Sequence, residues 1–302
     1  MQNDPVLSNL TRPDSAQTSR TSLRALDVSV SYGPHRIVHG VDAQLLPGGV
    51  TALIGPNGSG KTTLLRGMCR LADAEGQVSL DDVDITSFSP RSFAKRLTIL
   101  AQQRPTPTGL TVAEVVELGR HPHRGRFRRT DPGGAEAVER AVALAGLEDL
   151  RHRPVTELSG GQLQRVWLAT CLAQQTDVLL LDEPTTFLDL KHQMSLLDLI
   201  RDLADVHGLT IGVVLHDLEQ AADIADHVVL LEEGRVVAAG SPSAVMTSER
   251  LTEVYRVPID VTSLPDGGLA VRARRAGRRG RNAEDPSAAQ TRDDSRTLAV
   301  PA

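Results

Sequence analysis

The sequence predicts an α/β fold, a largely parallel sheet with helices on both faces. Two observations carry this. Val50–Ile54 and Val178–Leu181 are unbroken apolar runs of strand length, the signature of strands buried on both faces. Each is followed by a stretch in which apolar residues return at helical spacing, as alternating strands and helices of a parallel sheet require. A third observation bounds the class: no apolar run approaches the roughly 18 residues of a spanning helix, so any membrane role calls for a separate membrane partner.

The elements follow in order. Residues 1–22, rich in Ser, Thr, Asn, Asp and Gln, read as a disordered tail without the apolar core of a secretory signal. Alternation at Leu26, Val28 and Val30 predicts a strand over 23–31. Further strands are predicted at 41–46, 50–54, 77–80 and 97–101. Helices are predicted at 111–119 and 135–150, separated by the basic, Gly- and Pro-punctuated connector GRHPHRGRFRRTDPGG. Ser159 opens a helix reaching about Gln175. Strand 178–181, helix 189–207, strand 210–215, helix 217–226 and strand 228–231 complete the alternation, and Glu232, Glu233, Gly234 and Arg235 form a hairpin signal. The Arg-rich segment from 273 to 302 reads as a second disordered tail.

Composition narrows the function. Of 302 residues only 2% are aromatic, so the core must be built from Leu, Val, Ile and Ala. Thirty-three basic against 38 acidic residues give a net charge of −5, which argues against a general nucleic-acid binder. The two cysteines, Cys69 and Cys171, sit in apolar helical patterns and read as buried small hydrophobes in a reducing compartment.

Three motifs carry chemistry. Gly55-Pro56-Asn57-Gly58-Ser59-Gly60-Lys61-Thr62 matches G-x-x-x-x-G-K-[ST] between a buried strand and a helix. Such a loop turns its backbone N–H groups inward to cradle phosphates, with Lys61 reaching the β- and γ-phosphates and the Thr62 hydroxyl placed for Mg²⁺; Thr63 continues the cradle. Asp182 and Glu183 end the strand at 178–181, where ligands of a parallel sheet collect. Asp182 is the candidate Mg²⁺ holder and Glu183 the candidate base for an attacking water. Finally, Ser159-Gly160-Gly161-Gln162 opens a helix. A capping box accounts for Ser159 and Gln162. It leaves unexplained two glycines in a first turn that they weaken, and close approach of a ligand would explain both.

Leu158-Ser159-Gly160-Gly161-Gln162 resembles the signature of ABC-transporter ATPase subunits, and other matches accompany it in the expected order over about residues 23–265. Tyr32 resembles the aromatic that stacks on adenine. Gln102 resembles the Q-loop glutamine that contacts Mg²⁺ and water, although Ala101 stands where that pattern commonly has proline. Phe187-Leu188-Asp189 resembles the D-loop, and His216 the switch histidine at the γ-phosphate. The resemblance implies a P-loop NTPase (RecA-like) core with an antiparallel β-subdomain and an α-helical subdomain inserted at about 103–176, the whole ATPase domain spanning 23–272. It implies ATP and Mg²⁺ as cofactors. Catalytic roles fall to Lys61, Gln102, Glu183 and His216, metal contacts to Thr62, Gln102 and Asp182, and nucleotide contacts to Tyr32, residues 55–63, Ser159, Gly160, Gly161, Gln162 and Asp189.

The same resemblance implies a homodimer, with the P-loop of one copy facing the signature helix of the other, at the cytoplasmic face of a membrane. EPTTFLDLKHQ, LTVAEVVELGRHPH and YRVPIDV resemble segments of importers for iron–siderophore complexes, haem and cobalamin, so the implied partners are a membrane permease and, indirectly, a solute-binding protein. Ferric siderophores are the expected cargo, with haem, cobalamin or zinc and manganese as alternatives. A soluble ABC ATPase acting on nucleic acid or ribosomes is the reading from another class, but the paired cassettes or coiled-coil insertions it resembles are not found. His121 and His123 form H-x-H, two ligands short of a third for zinc. Arg120, Arg124, Arg126, Arg128 and Arg129 read as a permease or lipid contact, or as a solvated basic loop.

Overall fold

The computed structural model describes residues 21–102, 104–125 and 131–274. Most of both predicted tails, Gln103 and the arginines at 126, 128 and 129 lie outside the described residues. A hairpin, β1 (Leu23–Tyr32) and β2 (His35–Gln44), leads to β3 (Val50–Ile54), α1 (Lys61–Met68), β4 (Ala74–Leu80) and β5 (Val83–Asp84). The strands β2-β1-β4-β5 pair antiparallel in that order. This is the antiparallel unit that the resemblance implies.

Next come α2 (Pro90–Ala94) and β6 (Leu97–Leu100), then three helices, α3 (Val112–Leu118), α4 (Gly134–Leu144) and α5 (Gly160–Ala173). The helix expected over 135–150 stops at Leu144, because Gly146 turns to φ +62° and ends the run. These helices have a core of their own, Val112, Val115, Val138, Ala141, Val166 and Ala169 among its members. Each of α3 and α5 starts on a reciprocal capping box, Thr111 with Glu114 and Ser159 with Gln162. That local signal sets where each helix begins.

The alternation then resumes with β7 (Val178–Asp182), α6 (Leu190–Asp205), β8 (Thr210–Val214), α7 (Leu218–Ile224) and β9 (His227–Glu232). The order β9-β3-β8-β7-β6 is parallel throughout, with β10 (Arg235–Gly240) antiparallel on the outer edge of β9. Every residue of β3, β7 and β8 is buried, as their unbroken apolar runs require. One face packs on α1 and the antiparallel sheet through Leu64, Leu65, Met68, Leu180 and Val214. The other packs on helices through Leu168, Leu197, Ile200, Leu203 and Ala221.

Two short helices, α8 (Pro242–Val245) and α9 (Ser248–Tyr255), and a last hairpin, β11 (Ile259–Ser263) with β12 (Leu269–Ala273), close the chain. Ile259 and Val271 are buried in the main core. The boundary expected at 272 falls short. β12 runs through Ala273, and Arg274 donates to Pro258 O at 2.8 Å and pairs with Asp260. At the other end, Thr21 is buried and its carbonyl accepts from Thr210 Oγ1 at 2.6 Å.

Candidate active site

The turn after β3 is built around close approach. Gly55 has φ +146°, and a Cβ there would lie 2.1 Å from the Leu231 carbonyl oxygen of neighbouring β9. No other residue fits. The turn ends at Gly60, the N-cap of α1, which offers no side-chain bond to the helix start, and the first turn holds no acidic residue. The N–H groups there, at the positive end of the helix, remain for an anion. Lys61 is buried at 5% exposure, its ammonium donating to the carbonyls of Gly55 (2.8 Å) and Pro56 (3.0 Å). Burial pulls its pKa down, against the opposing pull of Glu183 and Asp182.

Asp182, at the end of β7, is 1% exposed. Its Oδ1 accepts from the Thr62 hydroxyl at 2.6 Å, while its buried Oδ2 has no hydrogen-bond partner among the described residues. Burial, aided by the neighbouring Glu183, raises its pKa despite the Thr62 bond. A buried carboxylate oxygen without a donor is costly. With the Thr62 hydroxyl beside it, the pair offers the hard oxygen set that a small divalent cation favours.

Glu183 sits at φ +53°, unusual for a residue with a long side chain. Its backbone leaves the strand there, with its N–H still bonded to Val214 O at 3.2 Å. Its carboxylate is held by Gln102 Nε2 on Oε2 at 2.5 Å and by His216 Nε2 on Oε1. Thus β6, β7 and β8 bring three polar side chains together at their carboxyl ends.

A cleft of about 390 Å³ is lined by Asn57, Gly58, Ser59, Gly60, Lys61, Thr62, Thr63, Gln102, Glu183 and His216, and also by Ile37. Ile37, on β2, is the lining residue that the motifs did not mark. No pattern singles out an apolar residue on a half-exposed strand. Tyr32, at the end of the same hairpin, is 46% exposed and does not line the cleft. Neither do Ser159, Gly160, Gly161, Gln162 and Asp189. Ser159 and Gln162 cap α5, and Asp189 caps α6 with Oδ1 accepting from His192 N at 2.9 Å.

Two sequence features take on structural roles. Arg120, one candidate for a permease or lipid contact, is only 3% exposed and donates two hydrogen bonds to the Asp131 carboxylate, from Nε to Oδ2 (2.8 Å) and from Nη2 to Oδ1 (2.9 Å). His123 of the H-x-H pair meets Gln174 O at 2.7 Å. Burial pushes the Cys69 thiol up to about 12, an inert cysteine as its apolar setting suggests.

Comparison with known proteins fits this geometry. A family model described as ABC transporter matches residues 38–186. The ferric enterobactin transport ATP-binding protein FepC of Escherichia coli K12 is 41% identical over 247 residues, 82% of this chain and 91% of that protein. The hemin import ATP-binding protein HmuV of Rhodococcus jostii RHA1 is 39% identical over 269 residues, 89% of each chain. Among solved structures, the dimeric MJ0796, a bacterial ABC transporter cassette, superposes with a TM-score of 0.64 at 27% identity, covering 73% of this chain and 98% of that one. The chain belongs to the ABC transporter family, among its ATP-binding subunits. Its activity is ATP hydrolysis.

Proposed function

We propose that this chain is the ATPase motor of an importer for ferric siderophores, working as a homodimer against a separate membrane permease at the cytoplasmic face of the membrane. The observation that carries the enzymatic half is the convergence of Lys61, Thr62, Gln102, Glu183 and His216 on one cleft at the strand ends, with Asp182 bonded to the Thr62 hydroxyl. The cargo reading rests on relatives named for ferric enterobactin, achromobactin and iron(3+)-hydroxamate transport, each about 40% identical over most of this chain. Among the described residues no helix is long and apolar enough to cross a membrane, and in this reading a separate permease carries out translocation. A solute-binding protein would deliver cargo to that permease.

In the hydrolysis we infer, the N–H groups at the start of α1 and the Lys61 ammonium bind the β- and γ-phosphates. Tyr32 stacks on the adenine. Glu183 accepts a proton from the water that attacks the γ-phosphorus, and the bond to the bridging oxygen of ADP breaks. His216 and Gln102 hold Glu183 and the water in line. Thr62 and Asp182 would hold Mg²⁺, with Gln102 beside them, and the ion when bound would supply charge neutralisation on the phosphates. Ser159, Gly160, Gly161, Gln162 and Asp189 lie away from this cleft in their own chain. They serve the cleft of a second copy, where the free N–H groups of α5 meet the γ-phosphate. Two equivalent sites result.

Uptake tests the reading. Cells lacking this chain are supplied with labelled ferric siderophore, haem, cobalamin or zinc and complemented with wild type or Glu183→Gln. Loss confined to ferric siderophore, rescued by wild type alone, supports motor and cargo together. Loss confined to haem transfers the cargo to the class named for the hemin import relatives. Unchanged uptake of all four, in cells with no second motor, removes the importer reading while leaving the ATPase chemistry.

A further inference from the structure

The two glycines of Ser159-Gly160-Gly161-Gln162 are not equivalent. A Cβ on Gly160 would meet nothing within 4 Å, whereas one on Gly161 would lie 2.7 Å from Cδ2 and 2.8 Å from Cγ of His192. Gly160 is open for a ligand to approach. Gly161 is glycine because an imidazole from α6 already occupies the space a side chain would need. The close approach that the sequence suggested for both glycines is, at Gly161, an approach within the chain.

The same ring is tied to Asp189. Its Nδ1 lies 2.7 Å from Asp189 Oδ1, the oxygen that also accepts from the His192 backbone N–H. A carboxylate only accepts, so Nδ1 carries the hydrogen. One side chain thus bridges the aspartate that starts α6 and the first turn of α5. A second bond joins α5 to α6, with Arg165 Nη2 donating to Ser195 Oγ, and Gln164 Nε2 ties α5 to the loop after β7 by donating to Pro184 O at 3.0 Å.

We propose that His192 is a positioning residue for ATP hydrolysis. It locks the spacing between Asp189 and the N-terminus of α5, so that both meet the partner copy as one preformed surface. The inference rests on the homodimer reading. That reading has these two elements facing the nucleotide of a second copy, and a surface ordered before contact loses less freedom on association. His192 touches no nucleotide in its own cleft, and its effect falls on dimer closure rather than on binding of ATP to one chain.

The experiment uses the full chain in the Glu183→Gln background, with ATP-dependent dimerisation followed by sedimentation velocity and ATP affinity by calorimetry at protein concentrations too low for dimers. His192→Ala should weaken the ATP-bound dimer about tenfold, as expected when Asp189 and the start of α5 must be ordered on association rather than before it, with monomer affinity within about twofold. His192→Asn keeps a donor near the Nδ1 position and atoms near Cγ and Cδ2, so its dimer should stay closer to the parent than that of His192→Ala. Gly161→Ala should weaken the dimer less in the His192→Ala chain than in the His192 chain, because the Cγ and Cδ2 atoms that an added Cβ would meet are gone. If His192→Ala fails to fold, Gly161→Ala in the His192 chain, which forces the ring aside, should itself weaken the dimer with monomer affinity kept, and a dimer as tight as the parent's there overturns the proposal. Equal penalties in the two backgrounds, or a His192→Ala dimer as tight as its parent, overturn the proposal. A Glu183→Gln parent that stays monomeric at saturating ATP overturns the dimer reading itself, and the positioning role with it.

Discussion

Gln102 donates to Glu183 at 2.5 Å, from the second residue beyond β6 to the first beyond β7. The other oxygen of the same carboxylate meets His216, so the group proposed as the base is engaged on both sides. Its backbone stands at φ +53°, a conformation that persists only where surrounding contacts enforce it. The carboxylate is therefore aimed in advance, and Gln102 is the contact that must be released for a water to reach Oε2.

Replacing Glu183 by Gln keeps the shape and removes the proton acceptor. Turnover should fall by about 10²–10⁴-fold, the range for loss of a general base, while ATP still binds. Phosphate release under single-turnover conditions, with nucleotide affinity measured alongside, checks this. Turnover within a few-fold of wild type would take the base assignment away from Glu183.

Lys61 is the only cation lining the cleft among its described residues, and it is buried. Removing a charged donor to a phosphate costs about 1.5–3 kcal/mol, so Lys61→Ala should weaken ATP binding by about 10- to 100-fold. Calorimetric titration of ATP into the purified variant reads this directly. Undiminished affinity would mean that the helix N-terminus alone holds the phosphates.

How much of this was legible depended on how local each signal is. The turn at 55–62, the carboxylates after β7 and the capping box at Ser159 are contiguous stretches whose chemistry is fixed within a few residues, and they read directly. The buried strands read equally well, because burial on both faces forces an unbroken apolar run. Ile37 did not read, since its place in the cleft comes from how a hairpin packs. The contact of His192 with Gly161 spans α5 and α6, and no spacing rule announces it. Arg120 sits in a basic run that suggests solvent, yet Asp131, near the other end of the same connector, draws it inside. The closing hairpin was missed because β11 and β12 are short and mostly exposed, with little periodicity to find.

Gly55→Ala tests the close approach that fixes the turn. The added methyl would stand 2.1 Å from a backbone oxygen that pairs in the sheet, at a φ that alanine rarely adopts. Strain and overpacking of this kind each cost about 1–3 kcal/mol, so the variant should lose about 2–5 kcal/mol in urea unfolding and bind ATP poorly. A Gly55→Ala chain as stable as wild type would show that β9 can yield at Leu231.

The Arg120–Asp131 pair makes the sharpest stability prediction. The side chains are 4% and 11% exposed, and Arg120 also donates to Ala173 O at 2.8 Å and Gln175 Oε1 at 2.7 Å. Arg120 thereby ties the two ends of the connector together and holds them to the end of α5 and the residues just after it. Breaking a buried pair from one side strands the other charge, at about 3–5 kcal/mol, so Arg120→Ala should lower stability by that amount. Arg120→Met with Asp131→Leu, which strands neither charge, should recover much of it. The pH dependence has a definite sign. Hydrogen bonds from Arg120 hold the Asp131 carboxyl below its ordinary value, so the folded state prefers the carboxylate. The stability it confers is complete above the unfolded value of about 3.9 and is lost as pH falls through the lower, folded value. Urea unfolding at pH 7 and at steps below pH 4 should show wild type converging toward Asp131→Asn as acid neutralises the carboxyl. A constant gap between the two curves down to the lowest pH would mean that the pair does not titrate there and that Asp131 acts through packing alone.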